Sequence, residues 1–343
     1  MDGDTCAGRR DLDQVDCCAC KRNELFTLIA DISWDAKGED YMDTPKVIVT
    51  IAPTGGMASK KQNPNILTQP QEIAEDVYRC YNAGASIVAV HARRPDDEAT
   101  CNPEIYRRIN SLIREKCDII INNSTGGGIN GDMVREASNG YPEIMWEERL
   151  KGMEAGAEMC TLDPTTIVAS FEGREILMNT SPSRCRALAE AMKAKGIKPE
   201  WEVFSPTHLL QDVTACLKAG LDEKPYFINF VLGADRGFQG AMPYTPKVLQ
   251  QMVELMPEGA IFNVSAIGIA QLNAALQSLL LGGHVRVGLE DNLYYSRGRL
   301  ANNVELVERI VRIIRDLGAE PATPAEARAM IGLPRRQVAS AAA

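Results

Sequence analysis

Residues 284–292 read His-Val-Arg-Val-Gly-Leu-Glu-Asp-Asn, a β-branched strand that carries an arginine and ends in a carboxylate pair. Charged side chains are costly to bury unless they are paired or bound to a metal. Arg286, Glu290 and Asp291 therefore indicate chemistry at the end of a buried strand. Such a strand is typical of a barrel whose active site lies at the strand ends.

Seven similar apolar segments precede this strand, and helical patterns separate them. The eight strand candidates are 46–53, 86–93, 118–125, 157–163, 200–206, 225–233, 259–267 and 284–291. Near-continuous apolar runs are expected of parallel strands that are covered on both faces. Eight βα units over roughly 280 residues predict an α/β fold of the (β/α)8 TIM barrel type. A doubly wound sheet is the alternative.

The helical patterns define the extent of the domain. They cover 69–83, 103–116, 183–195, 207–219, 246–255, 270–281 and 301–317, whereas 129–154 stays ambiguous. Glycines follow several of the predicted helix ends, where a left-handed residue is favoured. We expect 45–334 to form a single barrel catalytic domain, 1–44 to be a poorly ordered N-terminal extension, and 335–343 to be a C-terminal tail.

Composition restricts the class of protein. The 343 residues are 45% hydrophobic and 24% charged, as expected of a globular domain. The net charge of −9 argues against nucleic acid or an anionic membrane as a partner. No apolar run approaches the roughly 20 residues of a membrane span, so we expect a cytoplasmic protein. Cys17 and Cys20 form a CxxC without a second pair, which favours an extension of no chemical consequence over a metal clip.

Polar residues cluster at the predicted carboxyl ends of the strands, where barrel active sites lie. Among the residues at these ends are Thr54, His91, Arg93, Ser124, Thr125, Thr161, Glu202, Glu290 and Asp291. The small residues of 124–128, including Gly126 and Gly127, would let backbone N–H groups approach a carboxylate. A simple tight turn is the alternative, and a nucleotide loop based on the GxGxxG pattern is disfavoured because no dinucleotide-binding unit surrounds it.

Histidines near carboxylates suggest a metal. His91 ends the second strand, and Glu290 lies at the same predicted rim. His208, in the turn after strand five, is a candidate third ligand, with a solvent-facing helix start as the alternative. His284 begins the last strand, at the opposite end, and is interpreted as structural. Glu202 is a candidate for orienting a substrate or a base.

Six segments together resemble the β-keto acid cleavage enzymes, from about residue 46 to 333. They are GASIVAVHARRP (84–95), NNSTGG (122–127), IKPEWEVF (197–204), FVLG (230–233), GGHVRVGLEDN (282–292) and ATPAEARAMIGLP (322–334). The resemblance implies a zinc-dependent barrel that converts a β-keto acid and acetyl-CoA into acetoacetate and a new acyl-CoA. It also implies a homo-oligomer, such as a tetramer.

The resemblance also assigns roles to residues. His91 and Glu290 match ligands of Zn²⁺ or another divalent metal, and Asp291 matches a catalytic base held by Arg286. Ser124, Gly127 and Thr161 match positions that contact substrate, and Glu202 matches a supporting carboxylate. From their places at the strand ends, we add four further candidates for substrate binding: Thr54, Arg93, Thr125 and Gly126.

One departure from the family pattern keeps two other functions open. The family has His-x-His at the end of strand two, whereas this chain has Ala89-Val90-His91. One alternative is a CoA-independent lyase, hydrolase or isomerase that uses Asp291 as base with weak metal or none. The other is a non-catalytic paralogue that binds small acids.

Overall fold

The barrel is built from one parallel sheet. The computed structural model describes residues 44–137, 140–171 and 173–335. Eight strands pair in chain order, and the last pairs with the first through Arg286 and Thr50. They are β1 (Val49–Ile51), β2 (Ile87–Val90), β3 (Ile120–Asn123), β4 (Met159–Leu162), β5 (Lys198–Val203), β6 (Tyr226–Leu232), β7 (Ala260–Ala266) and β8 (Val285–Val287).

The seam between β7 and β8 closes the sheet into a near-complete barrel. The backbone N–H of His284 donates to the carbonyl of Phe262 at 2.7 Å, and that of Gly268 donates to Asp291 at 2.8 Å. A doubly wound sheet has open edge strands, whereas here the first and last strands of the chain are neighbours. The predicted (β/α)8 barrel is therefore confirmed.

Helices follow every strand of the barrel. Proline opens several of them, as at Pro103, where Asn102 accepts from the backbone N–H of Glu104 at 2.9 Å. The described helices are α1 (Pro70–Asn82), α2 (Pro103–Lys116), α3 (Trp146–Lys151), α4 (Pro182–Ala194), α5 (Thr214–Lys218), α6 (Pro246–Glu254), α7 (Gln271–Leu280), α8 (Asn303–Asp316) and α9 (Pro324–Met330). The helix predicted at 207–219 begins instead as a π-helical turn, His208–Val213.

Polar side chains from distant strands meet inside the barrel. Asn122 of β3 and Asn263 of β7 both donate to the carboxylate of Glu200 on β5, at 2.5 and 3.4 Å. Such contacts between non-adjacent strands require these side chains to point into the lumen. The apolar core lies mainly between the sheet and the surrounding helices.

The amino-terminal end of the barrel is closed by α9. A separate apolar cluster joins this helix to the strand starts, with members Ile48, Ile87, Ile120, Met159, Phe227, Ala322, Ala327 and Ile331. The buried Arg328 donates to Asp118 at 2.9 Å and to Glu158 at 2.6 Å, just before β3 and β4. The opposite end, where the strands finish, therefore remains the route to the lumen.

A four-stranded mixed sheet rises from the loops after β3 and β4. Its strands are Val134–Glu136, Pro142–Ile144, Ile167–Phe171 and Arg174–Met178. The first two fall in the ambiguous segment 129–154, and the sequence patterns did not predict the last two. We call this element the insert sheet.

The last barrel strand is shorter than predicted. β8 ends at Val287 rather than at 291, because Gly288 adopts φ +141° and a Cβ there would lie 2.1 Å from the carbonyl oxygen of Ala52. Glu290 and Asp291 consequently lie on a turn above the strand. The expectations for 1–44 and 335–343 fall outside the described residues, apart from Thr44 and Arg335. None of the described helices has the length and apolarity to cross a bilayer.

Candidate active site

A cavity of about 140 Å³ opens at the carboxyl ends of the strands. Its charged lining residues form what we call the floor: His91, Asp163, Glu202, Arg286, Glu290 and Asp291. They come from β2, β4, β5 and the segment that contains β8. The barrel thus brings together residues that are up to 200 positions apart in the sequence, as the strand-end argument predicts.

Arg286 organises the floor by holding three carboxylates. Its Nε and Nη2 donate to Asp291 at 3.0 and 3.1 Å, and Nη2 also donates to Glu290 at 2.7 Å. Its Nη1 donates to Glu202 at 3.1 Å. Burial would lower the pKa of Arg286, but these carboxylates raise it well above its usual value. The guanidinium is therefore a permanent positive charge beneath the cavity.

His91 and Glu290 form a contacting pair in the lining of the cavity. His91 Nδ1 donates to the carbonyl oxygen of Gly127 at 2.9 Å, which fixes the orientation of the ring. Nε2 lies 3.3 Å from Glu290 Oε1. Burial would raise the pKa of Glu290, but Arg286 and His91 lower it to about 2. Glu290 Oε2 is buried without a hydrogen-bond partner among the described residues, so this pair offers one unshared carboxylate oxygen.

The pKa values of Asp291 and Glu202 are raised, whereas that of Glu290 is lowered. Burial raises the pKa of Asp291 despite its bidentate contact with Arg286. Burial and the adjacent carboxylate of Asp163 raise the pKa of Glu202 well above its usual value. A carboxylate with a raised pKa binds a proton more strongly and is a better general base. Either group is therefore suited to accept a proton from a bound ligand.

The backbone N–H groups of the glycine-rich loop after β3 donate to side-chain hydroxyl groups of the protein. Ser124 Oγ accepts from the N–H groups of Gly126 and Gly127 at 3.1 and 3.3 Å, and Thr125 N–H donates to Thr161 Oγ1 at 3.0 Å. Ser124 and Gly126 line the cavity, whereas Thr125 and Thr161 hold β3 and β4 together outside it. Because its oxygen already accepts two bonds, Ser124 presents its hydroxyl proton as the donor for a ligand.

Two other predicted substrate contacts hold the loop after β1. Thr54 Oγ1 donates to the carbonyl of Leu67 at 2.8 Å. The buried Arg93 donates to the carbonyls of Gly55, Ala58 and Asp97, at 2.8 to 2.9 Å. Neither side chain lines the cavity. The structure thus places them behind the residues that reach it, such as Met57.

The structure does not bring His208 to the pair of His91 and Glu290. Its Nε2 lies 2.9 Å from Thr165 Oγ1, and its Nδ1 accepts from the backbone N–H of Phe204 at 3.3 Å. Burial lowers the pKa of His208 to about 4. No group of three His, Cys, Asp or Glu side chains in the described part of the chain is arranged to hold a metal ion. A catalytic zinc typically has three protein ligands, so the two donors present fit only a weakly held divalent cation.

The sequence reasoning missed one floor residue, Asp163, and two residues that contact the floor, Arg149 and Asn229. Asp163 follows Thr161 on the same face of β4 by strand alternation, so its position one step nearer the rim could have identified it. The buried Arg149 on α3 lies 3.5 Å from Asp163. Asn229 on β6 donates to Glu202 at 3.2 Å and accepts from Ser265 Oγ at 2.9 Å. Nothing in the sequence pattern singled out Arg149 or Asn229.

The chain has relatives of named activity along most of its length. It is 38% identical over 290 residues to the 3-keto-5-aminohexanoate cleavage enzyme of Fusobacterium nucleatum, covering 84% of this chain and 98% of the relative. It is 32% identical over 306 residues to the 3-dehydrocarnitine:acetyl-CoA trimethylamine transferase of Rhizobium meliloti, covering 85% and 98%. It is 31% identical over 300 residues to the 3-oxoadipate:acetyl-CoA acetyltransferase of Cupriavidus necator, covering 86% and 98%.

A solved structure shares the fold. The binary complex of ObcA with oxaloacetate superposes with a TM-score of 0.61 at 20% identity, covering 79% of this chain and 68% of that one. The barrel and its charged floor define an enzyme of the (β/α)8 class that acts on a small ligand. Residues 46–333 match the beta-keto acid cleavage enzyme family, and the chain belongs to that family. The resemblance noted in the sequence is thereby confirmed.

Proposed function

We propose that this enzyme converts a β-keto acid and acetyl-CoA into acetoacetate and a new acyl-CoA. Family membership and the acetyl-CoA-dependent names of the relatives support the reaction. The observation that carries the proposal is the placement of Asp291 in the cavity, with a raised pKa and a bidentate contact with Arg286. A proton between a ketone and a carboxylate is acidic enough for such a base to remove.

In the proposed reaction, the acetyl group of acetyl-CoA replaces the acyl group on C2 of the keto acid. Asp291 takes a proton from C2 of the keto acid, and this carbon then attacks the acetyl carbonyl of acetyl-CoA, releasing the CoA thiolate. The thiolate attacks the original ketone carbon, and the bond between that carbon and C2 breaks to give the new acyl-CoA. The remaining acetoacetate enolate recovers the proton from Asp291. Atoms and charge are thus conserved between substrates and products.

The other floor residues support the proposed steps. Ser124 donates its hydroxyl proton to the keto acid, and Arg286 keeps Asp291 in place and offsets the negative charge that develops. Glu202, tied to Arg286 and Asn229, fixes the orientation of the guanidinium. His91 and Glu290 are the residues that would hold a divalent cation, Zn²⁺ by resemblance, which would supply further positive charge to the enolate.

The experiment combines isotope transfer with substitution of the base. With acetyl-CoA labelled in the acetyl group, labelled acetoacetate is expected only when a β-keto acid is supplied. Asp291→Asn is expected to reduce kcat by about 10²- to 10⁴-fold. Asp235→Asn, which removes a carboxylate exposed on the loop after β6, is the matched control and should retain full activity. Chelation should lower the rate reversibly, because the donors of His91 and Glu290 alone would release a cation readily.

Other outcomes would favour the alternatives. Keto acid consumption without loss of acetyl-CoA would indicate a CoA-independent lyase, hydrolase or isomerase. Binding without turnover would indicate a non-catalytic acid-binding protein. The homo-oligomer and the cytoplasmic location remain proposals, checked by light scattering of the purified protein and by fractionation of cells.

A further inference from the structure

The cavity is lined by apolar side chains as well as by its charged floor. Phe204, Val231 and Ala234 belong to a small apolar cluster, and Phe238 packs against both this cluster and the barrel core. Apolar side chains from other segments complete what we call the wall: Met57, Ile129, Ile144, Met178 and Ile267. The cavity lining therefore combines six charged side chains with the nine apolar ones of the wall.

The wall is held in a defined position by backbone hydrogen bonds. The loop after β6 carries Ala234 and Phe238 and is hydrogen-bonded to the insert sheet. Ser170 N–H donates to the carbonyl of Gly237 at 2.7 Å, and Gln239 N–H donates to the carbonyl of Val168 at 2.9 Å. It is also tied to β5 by Met242 N–H to Phe204 at 2.9 Å. Phe204 and Phe238 pack against each other with ring centroids 6.0 Å apart. The apolar surface is thus part of the folded site.

Among the described residues, the wall offers no charged partner for a second charge on the ligand. Arg286 is shared by three carboxylates, and Asp163 faces Arg149. A charged group directed at the wall would lose water without gaining a partner, which is strongly unfavourable. The wall therefore selects against substrates that are charged beyond the ketone.

We propose that the substrate is a β-keto acid whose substituent beyond the ketone is a short, uncharged alkyl group. This inference rests on the proposed function, because the carboxylate and ketone are assigned to the floor. The cavity of about 140 Å³ is close in size to an engineered cavity of about 150 Å³ that takes up benzene, which favours a short group. By contrast, the names of the three relatives indicate an amine, a quaternary amine or a second carboxylate at this end.

The test compares acids of one chain length on the wild-type protein. 3-Oxohexanoate, 3-oxoadipate and 3-oxo-5-aminohexanoate are titrated calorimetrically without acetyl-CoA, so that binding is read independently of turnover. 3-Oxohexanoate is expected to bind on the order of 100-fold more tightly than either charged acid. With acetyl-CoA added, kcat/KM should follow the same order. Equal or tighter binding of a charged acid would overturn the inference.

The two proposals fail in different ways. If none of the acids consumes acetyl-CoA, the proposed reaction is wrong, while the order of binding still decides whether the wall selects an alkyl group. If acetyl-CoA is consumed fastest with 3-oxoadipate or the amino acid analogue, the reaction stands and the alkyl specificity is wrong.

A positive charge introduced into the wall should reverse the order of affinity for 3-oxohexanoate and 3-oxoadipate. Phe238→Arg is expected to favour 3-oxoadipate over 3-oxohexanoate, whereas Phe238→Leu should keep the wild-type order. Ile269→Arg is the matched control, because Ile269 is 85% exposed and lies outside the cavity lining. If Ile269→Arg shifts the order as much as Phe238→Arg, long-range charge and not the wall determines selectivity. Thermal unfolding of each variant checks that the fold is retained.

Discussion

At the scale of the residue, Glu200 is a buried carboxylate held by two amides and without a direct ion pair among the described residues. It lies two positions deeper on β5 than Glu202 and has no exposed surface. Burial raises its pKa above the usual value of 4.5, although Arg286, Asn122 and Asn263 favour the charged form. A folded-state pKa above the unfolded value means that stability is fully present below about pH 4.5 and is lost as the pH rises.

Glu200→Gln is therefore expected to stabilise the protein at pH 8. The side-chain oxygens of Asn122 and Asn263 have no hydrogen-bond partner within the described ranges, so a flipped amide can accept from the new Gln N–H₂ group. Thermal unfolding should give a higher Tm for the variant at pH 8, and the difference should shrink towards pH 4. A difference that is independent of pH, or larger at pH 4, would contradict this assignment of the charge.

At the scale of the element, the break in β8 positions two of the three carboxylates bound to Arg286. Gly288 approaches β1 closely, with Ala52 N–H donating to Val287 at 2.9 Å and Glu290 N–H donating to Ala52 at 3.1 Å. This contact turns the chain so that Glu290 and Asp291 lie over their own arginine, four and five residues earlier. The placement of Glu290 and Asp291 thus depends on the absence of a side chain at Gly288.

Gly288→Ala is expected to destabilise the protein by about 3 kcal/mol or more, since its Cβ would lie 2.1 Å from the backbone of β1 and φ is +141°. The control is Gly282→Ala, in the turn before β8, where φ is +77° but nothing lies within 4 Å. Its cost should be about 1 kcal/mol, from the backbone alone. Urea unfolding of both variants measures the difference. Equal losses would show that the close approach to β1 is unimportant.

The barrel elements were predictable, but the insert sheet and the wall were not. Apolar runs such as 46–53 and helix-opening prolines such as Pro103 depend on local sequence, and they identified the units of the fold. The strand Ile167–Phe171 is five residues long and partly exposed, so it lacks a continuous apolar run. Phe238 reaches the cavity only because its loop bonds to that strand. Local patterns cannot show such long-range pairing.

At the scale of the whole molecule, the two ends of the barrel have separate tasks. The carboxyl end carries the floor and the wall, while α9 closes the amino end. Arg328 there is 1% exposed and makes four hydrogen bonds to Asp118 and Glu158. Removing Arg328 would leave Asp118 and Glu158, whose side chains are 34% and 18% exposed, without their shared cation.

Arg328→Met is therefore expected to lower the free energy of unfolding by about 1 to 3 kcal/mol, because its two partners keep some solvent contact. Because the substitution is at the far end of the barrel, kcat/KM at a temperature well below the Tm should be unchanged. The matched control is Arg315→Met, whose partner Glu320 is also exposed and whose loss should cost about 1 kcal/mol or less. A large drop in kcat/KM for a folded Arg328→Met protein would show that the two ends are coupled.

The insert sheet has an evolutionary consequence. It contributes Ile144 and Met178 to the cavity but none of the charged groups around Arg286. Point mutations there can alter which acids are accepted while the reactive groups stay intact. Related genes can therefore diverge in substrate range through a few substitutions in the insert sheet, while the floor residues that carry out the reaction stay unchanged.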